Sequence, residues 1–333
     1  MASYLYILSR PHSGSTILDM LLSHSREVFG CGEIITGLRL RHRKWQCSCG
    51  AEMAHCPFWS EVRRRVEAAG VDWEDLAEAH LRQSHKFDLL ATFRACRDPG
   101  RAPARFQKLA RFTRCLRDVI AEVAQRPIVL DSSKTPSRGL FLFRFLPDTK
   151  IVYITRDPRN ILASYWWRMP INDTYLVQRR PYHGPLRWLA AVEIGILWTL
   201  GNLLNEAICA LDRKRAVRIR YEDLRDEPER MMRELGAFLD IDATPVIAAI
   251  ARTAPLKRGH LLGGSPIRIE SEARFDPNRE LKRAPPPTAL RWLVTAICWP
   301  MMLRYGYPLR APRHPRTVGG PEHSGTAAPN SAE

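Results

Sequence analysis

The chain has 333 residues, 45% of them hydrophobic, which is enough for one large core and too apolar for wholesale disorder. Its formal net charge of +16 favours an anionic partner. The Arg and Lys are spread along the chain without basic runs or aromatic–basic modules, so nucleic acid is not the expected partner. No uninterrupted apolar run reaches membrane-spanning length: residues 186–204 contain Arg187 and Glu193, and residues 289–303 contain Arg291 and Pro300. Both read as buried or interfacial helices. No basic-then-apolar leader with a small-residue cleavage site is visible, so the expectation is a cytoplasmic protein, with peripheral contact at a membrane left open. The eight cysteines then read as thiols or ligands instead of disulfides.

In chain order, Tyr4-Leu5-Tyr6-Ile7-Leu8 suits a buried strand. The small-residue turn Ser13-Gly14-Ser15-Thr16 follows, and Ile17, Leu18, Leu21 and Leu22 are spaced for a helix. Strand, small loop and helix N-terminus together make an anion cradle, because backbone N–H groups and the helix dipole converge on one place. An N-capped helix without a ligand would read the same. Residues 28–35 turn on Gly30 and Gly32, leaving Glu33 among apolar neighbours, where a carboxylate suits acid–base work. Cys47, Cys49 and Cys56, with Cys31, His42 and His55 nearby, could assemble a zinc site. Their spacing is not a paired C-x-x-C, so free thiols or a redox-sensitive pair is the favoured reading and no metal ligand is assigned.

Residues 59–126 read as a helical insert, with helices expected over 61–69, 73–90 and 105–123 and a break at Asp98-Pro99-Gly100. Pro127–Asp131 is a short buried strand, and Ser132-Ser133-Lys134-Thr135-Pro136 lies at its C-terminal end, where parallel α/β sheets bind ligands. Lys150–Thr155 is another buried strand, followed by Arg156-Asp157-Pro158-Arg159 and a helix from Asn160. Ser164 is eight residues after Arg156, about two helical turns on, so the two could grip one phosphate. A long helix over 186–211, a strand over 216–221 and a helix over 229–239 complete the alternation. Residues 257–283 are rich in Gly, Pro and charge and suit a mobile lid, and the tail 311–333 is expected to be disordered. No internal repeat is visible.

These separate pieces resemble the PAPS-dependent sulfotransferases, which take a sulfuryl group from 3′-phosphoadenosine 5′-phosphosulfate. The chain is most similar to the branch with carbohydrate and protein-tyrosine sulfotransferases and bacterial relatives. The resemblance implies an α/β, three-layer, P-loop-like fold with a central parallel sheet and a helical insert, spanning residues 1–310. His12-Ser13-Gly14-Ser15-Thr16 resembles the family's 5′-phosphosulfate loop, with His12 where an Arg or Lys is usual and Arg10 two residues earlier. His12, protonated, is favoured for that role, with Arg10 as the alternative. Arg156 and Ser164 resemble the 3′-phosphate pair, Tyr221 the tyrosine near the adenosine, and Arg268 a phosphate contact in the late closing loop.

By the same resemblance, Glu33 in Cys31-Gly32-Glu33 is the general base and Lys134 stabilises the transition state. The implied reaction is in-line transfer from PAPS to a hydroxyl or amine of a small-molecule, glycan or lipid acceptor, without a required metal. A kinase-like phosphotransferase would share the sheet and the anion loop, but G-x-x-x-x-G-K-[ST] is missing. A non-catalytic binding protein on the same fold would explain His12. Composition does not set the acceptor or the oligomeric state.

Overall fold

A computed structural model of the chain describes residues 2–41, 45–83, 89–168, 186–270, 272–277 and 285–310. The tail after 310, residues 278–283 of the expected lid, and His42 lie outside the described residues.

Five parallel strands form one sheet in the order β2-β3-β1-β4-β5. They are β1 (Ser3–Ser9), β2 (Val28–Gly30), β3 (Ile128–Lys134), β4 (Thr149–Thr155) and β5 (Ala216–Arg220). β1 is central because its side chains are apolar on both faces, as a strand with helices above and below requires. Tyr4, Tyr6 and Leu8 join one core with Phe141, Phe143, Trp198 and Met302. Leu5 and Ile7 join the opposite core with Leu18, Leu21, Leu235 and Leu239. The three-layer α/β expectation holds.

The helices that build the first face are α7 (Pro136–Phe145), α9 (Leu186–Cys209) and α13 (Thr288–Arg304). The second face carries α1 (Ser15–Leu22), α11 (Pro228–Leu239) and α12 (Thr244–Ala251), with the short α10 (Tyr221–Asp226) at the end of β5. The insert forms α3 (Pro57–Ala68), α4 (Trp73–Gln83), α5 (Leu89–Arg97) and α6 (Ala104–Ala124). The single helix expected over 73–90 is thus two, with residues 84–88 between them outside the described residues. Val62, Trp73, Leu76 and Leu116 from the insert pack with Ile34, Leu38 and Val129 to form a third core at the β2 edge. By length and composition alone, α9 is apolar enough to cross a membrane. Ala191 and Trp198 bury one of its faces in the core, whereas Leu189, Leu200, and Trp292 and Trp299 of α13 are exposed.

After β1 the chain runs to the β2 side of the sheet, and after β4 it runs to the β5 side. The connections therefore diverge between the C-terminal ends of β1 and β4, which is where an open α/β sheet has its ligand crevice. The ends of β1, β3 and β4 all reach this edge, since Leu8 is in register with Lys134 and Ser9 with Ile154.

Two buried polar networks hold that edge. Arg138 of α7 donates through Nε to Asp131 of β3 at 2.6 Å, and both side chains are 0% exposed. Tyr4 Oη donates to Asp131 at 3.2 Å and accepts from Arg138 at 2.8 Å. Ser133 N–H and Oγ–H both donate to Asp131 Oδ1, and Ser133 Oγ accepts the Ile35 N–H. The second network centres on Asp19 of α1, which accepts from Ser132 Oγ at 2.8 Å and from the Gly32 N–H at 3.2 Å. Burial pushes the Asp19 carboxyl up to about 7, against the opposing pull of these two donors.

Breaking a buried pair strands an uncompensated charge, so Arg138→Ala should lower the unfolding free energy by about 3–5 kcal/mol. Urea melts check this, and a loss under about 1 kcal/mol would contradict it. For Asp19 the unfolded carboxyl titrates near about 3.9. Between that value and about 7 the folded state binds the extra proton, so stability falls as pH rises and levels off above. Melting temperatures across that window should decline more steeply for the wild type than for Asp19→Asn; equal slopes would contradict the assignment.

Candidate active site

The β1 loop, Arg10–Gly14, passes from the central strand into α1. Two of its residues have left-handed backbone, His12 at φ 66° and Gly14 at φ 88°. Such a conformation turns successive N–H groups toward one side, as an anion nest needs. At Gly14 a Cβ would lie 2.2 Å from the Tyr221 ring, so only glycine fits there. Ser13, Ser15 and Thr16 are buried. Ser13 Oγ has no hydrogen-bond partner among the described residues.

Arg156 leaves the end of β4 and donates Nη1–H to the His12 carbonyl at 2.5 Å. Its guanidinium lies 4.8 Å from the centre of the Tyr221 ring, and its own carbonyl accepts the Trp198 indole N–H. α8 (Pro158–Arg168) begins two residues later and carries Ser164 back to the loop. Ser164 Oγ is 3.1 Å from His12 Nδ1. The helical spacing of eight residues thus brings Arg156 and Ser164 to the same loop residue. Tyr221 backs both Gly14 and Arg156.

The His12 ring turns toward Ser164 and sits 4.1 Å from the Tyr165 ring. It stands at the Arg156 end of the loop. Arg10 points elsewhere: its side chain runs against Gly201 of α9, where a Cβ would meet Arg10 Cδ at 2.6 Å. Burial presses its pKa down despite nearby Tyr165 and Tyr153.

Glu33 and Lys134 meet on the other side. Lys134 Nζ is 2.5 Å from Glu33 Oε1, and the Thr36 hydroxyl donates to Glu33 Oε2 at 2.7 Å. Both partners keep limited access to solvent, 18% for Glu33 and 15% for Lys134. Lys134 also has left-handed backbone, φ 69°, at the point where β3 turns into α7. Glu33 occupies the N-terminal boundary of α2 (Ile34–Arg39), and its N–H donates to the Leu262 carbonyl.

The segment after Leu262 closes the arrangement. Ser265 N–H donates to Thr16 Oγ1 at 3.2 Å. A Cβ on Gly264 would lie 2.9 Å from Thr16 Oγ1 and 3.8 Å from Glu33 Oε1. Gly264 is therefore the point at which the β1 loop, the Glu33–Lys134 pair and the covering segment come together. Arg268 donates to the Gln46 carbonyl at 2.8 Å with its guanidinium 5.4 Å from the Trp45 ring.

Sequence reasoning missed Asp19 and Thr36, which orient the Glu33 turn, and Trp198, which anchors Arg156. It also missed His260, which the structure places with Cys47, Cys49 and Cys56, their ligand atoms all within 4.8 Å of one another. Cys31 instead lies in the third core, and His55 faces Glu52 at 3.7 Å.

A model of the sulfotransferase family matches residues 5–245. The sulfotransferase domain from the curacin biosynthetic pathway superposes with a TM-score of 0.51 at 19% identity, covering 93% of this chain and 99% of its own. The sulfotransferase domain from the Synechococcus PCC 7002 olefin synthase gives 0.50 at 16% identity, covering 93% and 96%. No curated protein matches the chain. The family match runs from β1 to the start of α12, well over half of the residues, and the parallel sheet agrees with it: the chain belongs to the sulfotransferase family.

Proposed function

We propose that the chain moves a sulfuryl group from PAPS to a hydroxyl or amine of a small-molecule, glycan or lipid acceptor. The observation that carries this reading is the meeting of Arg156 and Ser164 at His12, on the same loop whose amides open α1. Two anion-binding groups on one loop suit a nucleotide phosphorylated at both the 3′ and 5′ positions. The residues fit such a donor. The buried Ser13 hydroxyl can donate to a phosphate oxygen, and glycines at 14 and 264 let it approach the backbone closely.

When bound, PAPS supplies a sulfuryl group on a phosphate leaving group. In our reading Arg156 presents a planar set of N–H donors to the 3′-phosphate, and Ser164 adds its hydroxyl. His12 stands with them. The amides of Ser13–Thr16 hold the 5′-phosphate at the positive end of α1. Glu33 takes the proton of the acceptor group, with Thr36 fixing the second carboxylate oxygen. Lys134, adjoining Glu33, neutralises charge on the transferring oxygens and needs no reorganisation, because its position is set by the β3–α7 turn. Tyr221 keeps Gly14 and Arg156 in contact.

Arg156→Ala should weaken binding of 3′,5′-adenosine bisphosphate by about 10- to 100-fold, the worth of a hydrogen bond to a charged group. Calorimetric titration of the variant with nucleotides lacking the 3′-phosphate should show little change. An equal loss for both, or none, would sink the 3′-phosphate assignment. In assays of labelled sulfate transfer over a panel of hydroxyl and amine acceptors, Glu33→Gln should reduce turnover about 10²- to 10⁴-fold while bisphosphate affinity is kept. Full turnover in that variant excludes Glu33 as base, and phosphoryl transfer from ATP with magnesium in place of sulfate transfer would overturn the reaction class.

A further inference from the structure

We infer that Cys47, Cys49, Cys56 and His260 form a zinc site that clamps the covering segment of the active site onto the turn over residues 47–56 that leads into α3. This goes beyond the proposed transfer reaction and does not depend on the identity of the donor.

The distances carry the inference. Cys49 Sγ and Cys47 Sγ are each 3.7 Å from Cys56 Sγ. His260 Nδ1 is 3.2 Å from Cys56 Sγ and 3.9 Å from Cys47 Sγ. A tetrahedral zinc with bonds of about 2.3 Å to sulfur and about 2.0 Å to nitrogen has sulfur–sulfur edges of about 3.8 Å and sulfur–nitrogen edges of about 3.5 Å. The two observed sulfur–sulfur distances lie within about 0.1 Å of the first edge, and the two sulfur–nitrogen distances, 3.2 and 3.9 Å, bracket the second. All four ligand atoms lie within 4.8 Å of one another, so one ion can sit among them. Three sulfurs and one imidazole nitrogen are a soft set that selects zinc over magnesium or calcium. Four protein ligands leave no open position, which is the coordination of a structural site.

The surroundings are built to hold thiolates. Cys47 and Cys49 sit on a tight hairpin, with the Gly50 N–H donating to the Cys47 carbonyl and Gln46 bridged to Glu52. Gly50 has φ 95°, which lets the chain reverse between the ligands. Cys56 occupies the N-terminal boundary of α3, where the helix dipole favours an anion. The His260 ring is stacked on Phe58 at 5.0 Å, and its carbonyl accepts the Trp59 indole N–H. Ser48 ties the two segments further: its Oγ donates to the Arg258 carbonyl and accepts the Leu261 N–H.

The consequence reaches the active site. Two residues after His260, Leu262 exchanges main-chain hydrogen bonds with Cys31 and Glu33, and Gly264 and Ser265 lie on Thr16. A metal on His260 therefore fixes the strip of backbone that frames the base and the anion loop.

The test uses the full chain without a histidine tag, expressed with added zinc and dialysed. Elemental analysis should find close to one zinc per chain. Cobalt exchanged into the protein should give the visible absorption of a tetrahedral site with strong thiolate charge-transfer bands. Cys49→Ser and His260→Ala should lose most of the zinc to a chelator, whereas Cys115→Ser should keep it. Chelation should speed hydrogen exchange at the amides of Leu262 and Glu33. Zinc far below one per chain after reconstitution under reducing conditions, or a disulfide among the three cysteines of the protein as isolated, would overturn the site. If a variant fails to fold, the cobalt spectrum of the wild type still decides: an octahedral or absent spectrum contradicts the site.

Discussion

The site depends on the ion pair between Asp131 and Arg138. Both side chains are fully removed from solvent, so further hydrogen bonds must offset the cost of burying the two charges. Tyr4 and Ser133 supply them to Asp131 and Tyr4 accepts from Arg138 Nη2, while Arg138 Nη1 has no hydrogen-bond partner among the described residues. The result is a rigid corner at the place where Lys134 adopts left-handed backbone and where Ser133 receives the Ile35 N–H from the turn carrying Glu33. The proposed base and its cationic neighbour are thus held from beneath by one network, and Asp19 supports the same turn from α1 through Gly32 and Ser132. Polar groups buried at this cost fix geometry at the edge of the sheet more than they add stability.

The frame was legible because period and spacing are local. Alternation in Tyr4–Leu8 gives a strand with two buried faces, and the eight-residue separation of Arg156 and Ser164 gives two turns of helix, so both features survive without any knowledge of long-range contacts. Contacts between distant segments were not legible. His260 is more than two hundred residues from its cysteines, and no periodicity connects them. Side-chain direction was equally hidden. Arg10 and His12 are candidates only two residues apart, yet the left-handed turn at His12 sends its ring to Ser164 while Arg10 packs against α9. Arg268 lies on the covering segment, and its guanidinium donates to the Gln46 carbonyl. The short strand β2 was missed because three residues ending in glycine carry too little pattern to be told from a turn.

The arrangement also divides the molecule by task. The cores around β1 fix the anion loop and Arg156, whereas the third core carries the insert and the cysteine hairpin against the Glu33 turn. Residues 258–265 bridge the two, touching the hairpin at Ser48 and the loop at Thr16. A change in this bridge would reach Glu33 and the β1 loop together, because Gly264 stands between Thr16 and Glu33. Exposed Leu189, Leu200, Trp292 and Trp299 form an apolar surface on α9 and α13.

The central claim is that the β1–β4 crevice reads phosphates at both ends of a ribose. Calorimetry of the wild-type protein with 3′,5′-adenosine bisphosphate against 5′-ADP, in buffer without magnesium, tests it most directly. Binding of the 3′,5′-bisphosphate should be tighter by about 10- to 100-fold, the contribution expected from charged hydrogen bonds to the 3′-phosphate. Equal affinity for the two nucleotides, or binding that requires magnesium and favours ATP, would contradict it.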